Sequence, residues 1–266
     1  HRFNVILKAR QLGISTITAG YSLWMMTFHQ DKNILVIATK QETAKNLVTK
    51  VRVMHANLPS WLKQKCTEDN KLSLSYKNGS QIKAVSSGED AGRSEALSLL
   101  IIDEAGFVDG LEELWTGLYP TLSTGGRCIA LSTPNGVGNW FHKTYVDADA
   151  QENDFHPVNL PWDVHPERDQ QWFTKETKNM SRRQIAQELE CNFNTSGDTV
   201  IHPDDIAWLQ SEIVEPTYRT GYDRNFWIWE KYRDGDHYLL VADVARGDGA
   251  DNSVFHVLDV KKMEIV

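Results

Sequence analysis

Lys8-Ala9-Arg10-Gln11-Leu12-Gly13-Ile14-Ser15-Thr16 has the residue types of a phosphate-binding loop, with its lysine displaced. The common pattern, G-x-x-x-x-G-K-[ST], follows a strand and opens a helix; its lysine reaches the phosphates and its hydroxyl reaches Mg²⁺. Gly13 and Ser15 fit that pattern, but Ile14 stands where the lysine belongs and Lys8 where the first glycine belongs. The flanks suit it as well. Phe3 to Leu7 reads as a buried strand, and Ile14 to Phe28 as a helix apolar all round. A helix start offers free N–H groups and a positive dipole end to an anion. The flexible stem of Lys8 can fold back to the same phosphates, and Ser15 can offer its hydroxyl to Mg²⁺. An ordinary strand-to-helix turn with one glycine is the competing reading.

Leu99-Leu100-Ile101-Ile102-Asp103-Glu104-Ala105 is the second chemical signal. Four apolar residues followed by two acids describe a buried strand delivering carboxylates to the edge of a sheet. In P-loop NTPases the first acid helps hold Mg²⁺, and a neighbouring Glu can polarise the attacking water as general base. A strand ending in a solvated acidic turn is the alternative; the upstream loop argues against it. Ala130-Leu131-Ser132-Thr133-Pro134-Asn135-Gly136 ends a third strand in two hydroxyls suited to sensing a γ-phosphate, although Pro-Asn-Gly is also a common turn. Near the end of the chain, Leu239 to Ala245 brings Asp243 to a strand end, and Asp251 lies near the start of the next strand.

These residues need a sheet to gather them. Strands are expected at Asn33 to Ala38, Leu97 to Ile102 and Arg127 to Leu131, and helices at Gln41 to Asn57 and Leu111 to Leu118. Leu72 to Tyr76 and Gln81 to Val85 form a hairpin around Asn78-Gly79. The alternation predicts an α/β fold with a mainly parallel sheet covered by helices. Pro161, Pro166 and Pro203 then punctuate two predicted helices, Glu167 to Asn179 and Arg182 to Glu190. His237 to Val244 and Ser253 to Val260 are two further β-type runs.

The chain has 266 residues and a formal charge of −8, which excludes a uniformly basic nucleic-acid coat and leaves DNA contact to local patches. Cys66, Cys128 and Cys191 are widely spaced, so neither a disulfide framework nor a zinc site is expected. No apolar run reaches membrane-spanning length. The sequence opens at His1 without an initiator Met and stops at Val266 just after a strand, which reads as a fragment. Trp227, Trp229 and Tyr232, with Arg224, Lys231 and Arg233, can stack on nucleic acid, but covering a domain interface is the favoured reading.

The order Lys-Ala-Arg-Gln-Leu-Gly-Ile-Ser, Leu-Ile-Ile-Asp-Glu-Ala-Gly-Phe and Leu-Ser-Thr-Pro-Asn-Gly resembles the large terminase subunit of tailed bacteriophages, the ATP-driven DNA packaging motor. Some members of that family place the loop lysine early, as Lys8 stands here. The resemblance implies a RecA-like P-loop ATPase at 1–160, a helical connector at 161–220 and the start of a truncated ribonuclease-H-like nuclease at 221–266. It assigns phosphate and metal binding to Lys8, Gly13 and Ser15, with Gln11 and Thr16 in the same loop. Asp103 becomes the Mg²⁺ partner, Glu104 the catalytic base, and Ser132 and Thr133 the element coupling hydrolysis to movement. Arg10 matches a loop arginine proposed to act as a finger on the γ-phosphate, and Arg93 is its rival; a plain surface arginine is the alternative for each. Gln187 to Phe193 is similar to the segment linking motor to nuclease. Asp243, with Asp251 as a second candidate, matches a nuclease ligand for Mg²⁺ or Mn²⁺. The implied cofactors are ATP and Mg²⁺. The implied partners are double-stranded DNA, the portal protein, the small terminase subunit and further copies in a ring, with no membrane. The implied place is the host cytoplasm at the procapsid portal, not the mature virion. The adenine-binding segment that precedes the loop in this family is not in the sequence. A superfamily 2 helicase-like ATPase and a non-hydrolysing DNA-binding scaffold with a decayed loop are the rival readings.

Overall fold

A computed structural model describes residues 1–86, 96–196, 208–209, 212–221, 225–245 and 253–266. The expected positions Arg93 and Asp251 lie outside the described residues. The chain divides into two compact units, His1–Asp204 and Asp205–Val266.

In the first unit, β1 (Phe3–Lys8), α1 (Ile14–Phe28), β2 (Asn33–Ala38) and α2 (Gln41–Ala56) are followed by β3 (Cys66–Asp69), β4 (Ser73–Tyr76) and β5 (Gln81–Ser86). Then come β6 (Leu99–Asp103), α3 (Leu111–Leu118), β7 (Arg127–Ser132), α4 (Trp140–Asp149) and β8 (Phe155–Leu160). α5 (Gln170–Glu176), α6 (Arg182–Ile185) and α7 (Phe193–Ser196) close the unit. The eight strands form one sheet in the order β3-β4-β5-β2-β6-β7-β1-β8. From β5 to β8 every pairing is parallel, while β3 and β4 run antiparallel at one edge. The expected mainly parallel sheet flanked by helices is the fold observed.

Both faces of the sheet are covered, which is why its central strands are apolar at nearly every position. Along β6, Leu100 and Ile102 pack with α3 and α4 on one face, and Leu99 and Ile101 pack with α1 and α2 on the other. All four are fully buried, each contributing about 1.5–3 kcal/mol relative to exposure. Two buried faces thus hold Asp103, at the strand's end, in one place.

Several boundaries differ from expectation for identifiable reasons. α1 is not buried all round: Ile17, Trp24 and Phe28 are exposed, and its inner face includes Thr18 and Ser22, whose hydroxyls bond back to Ile14 and Thr18 carbonyls. The helix expected from Glu167 starts at Gln170, because the Asp169 carboxylate caps it by accepting from the Trp172 N–H at 2.8 Å. The helix expected over 182–190 is α-helical only to Ile185; residues 186–190 form a π-helical turn.

α4, β8 and β3 had no counterpart in the sequence reading. α4 does carry a start signal: Asn139 accepts from the His142 N–H at 3.0 Å, and its amide donates to the carbonyls of Asn135 and Gly136. One side chain thereby fixes both the helix and the turn after β7. Asn139→Ala is expected to cost about 1 kcal/mol, read as a lowered urea midpoint with unchanged slope.

In the second unit, β9 (Tyr218–Thr220) pairs with β10 (Phe226–Ile228), and β11 (Tyr238–Asp243), β12 (Val254–Asp259) and β13 (Glu264–Ile265) form an antiparallel sheet. Among the described residues no helix is long and apolar enough to cross a membrane.

Candidate active site

The four central strands of the parallel sheet end at one edge, and the chemistry collects there. Lys8 closes β1, Thr39 comes directly after β2, Asp103 ends β6 with Glu104 next in the chain, and Thr133 comes directly after β7. Crevices outside the carboxyl ends of parallel strands are where such sheets bind ligands. A cavity of about 580 Å³ is lined here by Lys8, Arg10, Thr39, Lys40, Thr43, Glu104, Phe107, Asp109 and Thr133. A second cavity, about 610 Å³, lies in the other unit against β10 and β12, and no Lys, Asp or Glu side chain lines it.

The loop between β1 and α1 supplies the cavity's basic side. Gly13 takes a left-handed conformation (φ 79°) at the start of α1 and gives no side-chain cap, so it offers no side chain to compete for the N–H groups of Ile14 and Ser15. Gln11 is also left-handed, at φ 56°, and is exposed. Thr16 is exposed on the first turn, where its N–H donates to the Gly13 carbonyl at 2.9 Å. Ile14 faces elsewhere: with Ile17 and Tyr21 it lines a groove beside Ile6 and Ile129. At the usual lysine position the chain has spent its side chain on packing. Lys8 instead lines the cavity at the sheet edge.

Asp103 and Ser15 meet on the acidic side, the Ser15 hydroxyl donating to Oδ2 at 3.3 Å. Asp103 Oδ1 accepts from the backbone N–H of Glu104 at 3.0 Å. Burial pushes the Asp103 carboxyl above the usual range, opposed by Lys8, reinforced by Glu104, and opposed again by the two hydrogen bonds. Burial likewise pushes Lys8 below the ordinary lysine value, against the pull of Asp103 and Glu104. Both directions express one fact: these charges are short of solvent. Glu104 sits in the left-handed region at φ 56°, which turns its side chain from the strand toward the cavity. There Oε2 accepts from the Thr39 hydroxyl at 2.9 Å.

Ser132 and Thr133 divide their work. Thr133 lines the cavity, whereas Ser132 is buried and accepts from the Gly106 N–H at 3.1 Å. Asn135 donates to the Gly106 carbonyl at 2.9 Å, so the turn after β7 is bonded on both sides to the segment after Glu104. Gly106 is closely packed: a Cβ there would lie 3.1 Å from Ser132 Oγ and 3.2 Å from the Thr133 carbonyl, so either neighbour would have to give by a few tenths of an ångström. The Gly136 N–H donates to Ser196 Oγ at 3.0 Å, which extends the chain of contacts to α7.

A family profile described as the T4likevirus-type, N-terminal region of the terminase large subunit matches residues 5–207. The chain belongs to that family. Solved terminases share its fold. The large terminase ATPase domain of Thermus phage P74-26 is 20% identical, with a TM-score of 0.59 over 72% of this chain and 88% of that one. The large terminase of a second, thermophilic bacteriophage is 12% identical, with a TM-score of 0.58 over 71% of this chain and 47% of that one. The same thermophilic phage enzyme in complex with ADP is 13% identical, with a TM-score of 0.58 over 96% of this chain and 59% of that one. The terminase chain therefore spans about half the length of that thermophilic phage protein.

Among the expected site residues of this terminase, Lys8, Arg10, Glu104 and Thr133 line one cavity, with Ser15 and Asp103 hydrogen-bonded to each other beside them. Asp243, exposed at the end of β11, belongs to the second unit. Thr39, Lys40, Thr43, Phe107 and Asp109 line the cavity without having been singled out. Thr39 had a signal available: β2 and β6 are adjacent and parallel, so the residues just past the end of β2 must neighbour those just past the end of β6.

Proposed function

We propose that residues 1–160 are the ATP-hydrolysing domain of a DNA-packaging motor, followed by a connector at 161–220 and the start of a nuclease at 221–266. The observation that carries this reading is the convergence of Lys8, Ser15, Asp103 and Glu104 on one sheet edge of a large-terminase family member. Lys8 and the first N–H groups of α1 bind the phosphates. Glu104 orients the attacking water and takes its proton. Arg10 faces the terminal phosphate, and Thr133 lies against the same cavity, from which the Ser132, Gly106 and Asn135 bonds lead outward.

The donor set fits Mg²⁺. Asp103 has a carboxylate whose charge is penalised by burial and by Glu104, beside a hydroxyl able to act as a second ligand. Mg²⁺ keeps several waters and is commonly held by one or two carboxylates together with substrate phosphates. Ser15 and Asp103 would hold it; when bound, it neutralises charge on the phosphate oxygens.

Asp243 is the described carboxylate at the expected nuclease position, and two divalent ions need several acids to clamp the attacking and leaving oxygens. We assign Asp243, with Asp251, to Mg²⁺ or Mn²⁺ binding in the whole protein, and to no cleavage step in this chain alone. The motor reading places double-stranded DNA, the portal protein, the small terminase subunit and a ring of like copies around the chain, in the host cytoplasm at the procapsid portal.

The test is DNA-stimulated ATP hydrolysis by the full-length protein, beside nucleotide-dependent thermal shifts. Stimulated turnover with stabilisation by ATP is expected. Stabilisation without turnover would leave a nucleotide-binding scaffold, and neither would remove the reading altogether.

A further inference from the structure

Arg10 is a basic side chain of the cavity wall that is exposed in front and held from behind. Its side chain is 68% exposed, yet its Nε is ion-paired with Glu188 Oε2, from a carboxylate only 18% exposed. That oxygen is shut away from water and accepts no aligned hydrogen bond among the described residues, so its contact with Arg10 is one of charge. Neither Nη of Arg10 meets an acceptor among the described residues, and Arg10 lines the cavity with Lys8 and Glu104. A guanidinium ion-paired on its Nε side is drawn toward that carboxylate while its two outer nitrogens keep their donors for another acceptor.

The backbone repeats this arrangement. The Arg10 N–H donates to the Glu188 carbonyl at 2.8 Å, and the Ala9 N–H to the Leu160 carbonyl at 2.8 Å. Arg168, stacked on Trp172 at 4.6 Å, donates to the carbonyls of Arg10 and Gln11 at 3.0 and 3.2 Å. Glu188 itself stands in the π-helical turn 186–190, between the buried side chains of Ala186 and Leu189, so its direction is fixed by packing. Such turns are rare and concentrate at functional sites. Nothing in the cavity requires a π-turn; presenting one carboxylate backward to the loop gives it a use.

We infer that Glu188 is the positioning residue of Arg10, holding the guanidinium by Nε so that both Nη groups face the terminal phosphate of a bound nucleoside triphosphate. This rests on the proposed nucleotide reading and adds to it a residue from the segment after β8. The pair distinguishes triphosphate from diphosphate, because only the former places an oxygen anion before the fork.

The experiment is the ratio of ATP to ADP affinity of the full-length protein, measured with non-hydrolysable ATPγS and with ADP, beside turnover. Arg10→Ala is expected to lower the ratio about tenfold, the worth of a lost charge-assisted pair. Glu188→Gln should lower it in the same direction, and adding it to Arg10→Ala should lower it no further. A purely structural role would weaken both nucleotides alike and leave the ratio unmoved. Glu188→Asp keeps the charge and withdraws it by one methylene; it too should lower the ratio, which guards against a Gln variant that fails to fold. An unchanged ratio in both Glu188 variants, or full additivity with Arg10→Ala, overturns the inference while the nucleotide reading stands. Failure of the unaltered protein to bind either nucleotide overturns both. Binding without turnover removes hydrolysis alone and leaves the ratio readable.

Discussion

Glu104→Gln is expected to lower ATP turnover of the full-length protein by about 10²–10⁴-fold while leaving nucleotide affinity nearly unchanged. The amide is nearly the same size and still has an oxygen to accept from Thr39, 2.9 Å away in the native pair. The backbone N–H of residue 104 still reaches Asp103 Oδ1. What disappears is basicity: an amide oxygen cannot keep the proton that the attacking water must lose. The left-handed backbone at this residue, costing about 1–2 kcal/mol for an L-side chain, is compensated by those two anchors, so the variant should unfold at an unaltered temperature. A fall of less than about tenfold would remove Glu104 from water activation, since a positioned base is worth more than that. A parallel collapse of affinity would instead assign it to binding. Thr39→Val offers an internal control. It releases the carboxylate from the Thr39 hydroxyl yet keeps the base, so turnover should change far less than in Glu104→Gln.

How far the sequence foretold this site depends on what fixes each residue. The apolar runs at 33–38 and 99–102 became β2 and β6 because both faces of a parallel sheet are buried, a condition written in composition. The acids at the end of β6 could then be placed at the carboxyl edge by topology alone. β8 was not legible, since Pro157 lies in its middle; a strand with no N–H at that point is tolerated where it occupies the sheet's edge. β3, carrying Glu68 and Asp69, is the opposite edge, and charge there blunts further pairing. Both edges break the pattern that identifies a strand, for reasons visible only once the order of strands is known. The Arg10–Glu188 pair lay beyond reach for a different reason. No local period joins a loop near residue 10 to a π-turn near residue 188; their meeting depends on the path of 161–196 back across β1 and β8.

Lys8→Ala is expected to weaken ATP binding by roughly 10²-fold and to reduce turnover at least as much, since it removes the one lysine of the loop, which lines the proposed nucleotide cavity. The more searching variant restores a lysine at the usual place. If the position in the sequence were what matters, Lys8→Ala/Ile14→Lys would recover binding. The structure argues that it will not. Ile14 packs with the core residues between α1 and the sheet and lines the groove with Ile17 and Tyr21. A lysine there must either bury its ammonium among apolar side chains or leave the packing and disturb the first turn of α1, and both costs fall on the loop itself. Lys8 starts instead from the end of β1, where Asp103 and Glu104 pull its proton on while burial loosens it. Because burial prevails and holds Lys8 below the ordinary lysine value, ATP affinity should fall with rising pH sooner than an exposed lysine would allow. That pH limb should be absent in Lys8→Ala. Recovery in the double variant, or a pH limb that survives the loss of Lys8, would move phosphate binding to another residue. The displaced lysine would then be packing, not chemistry.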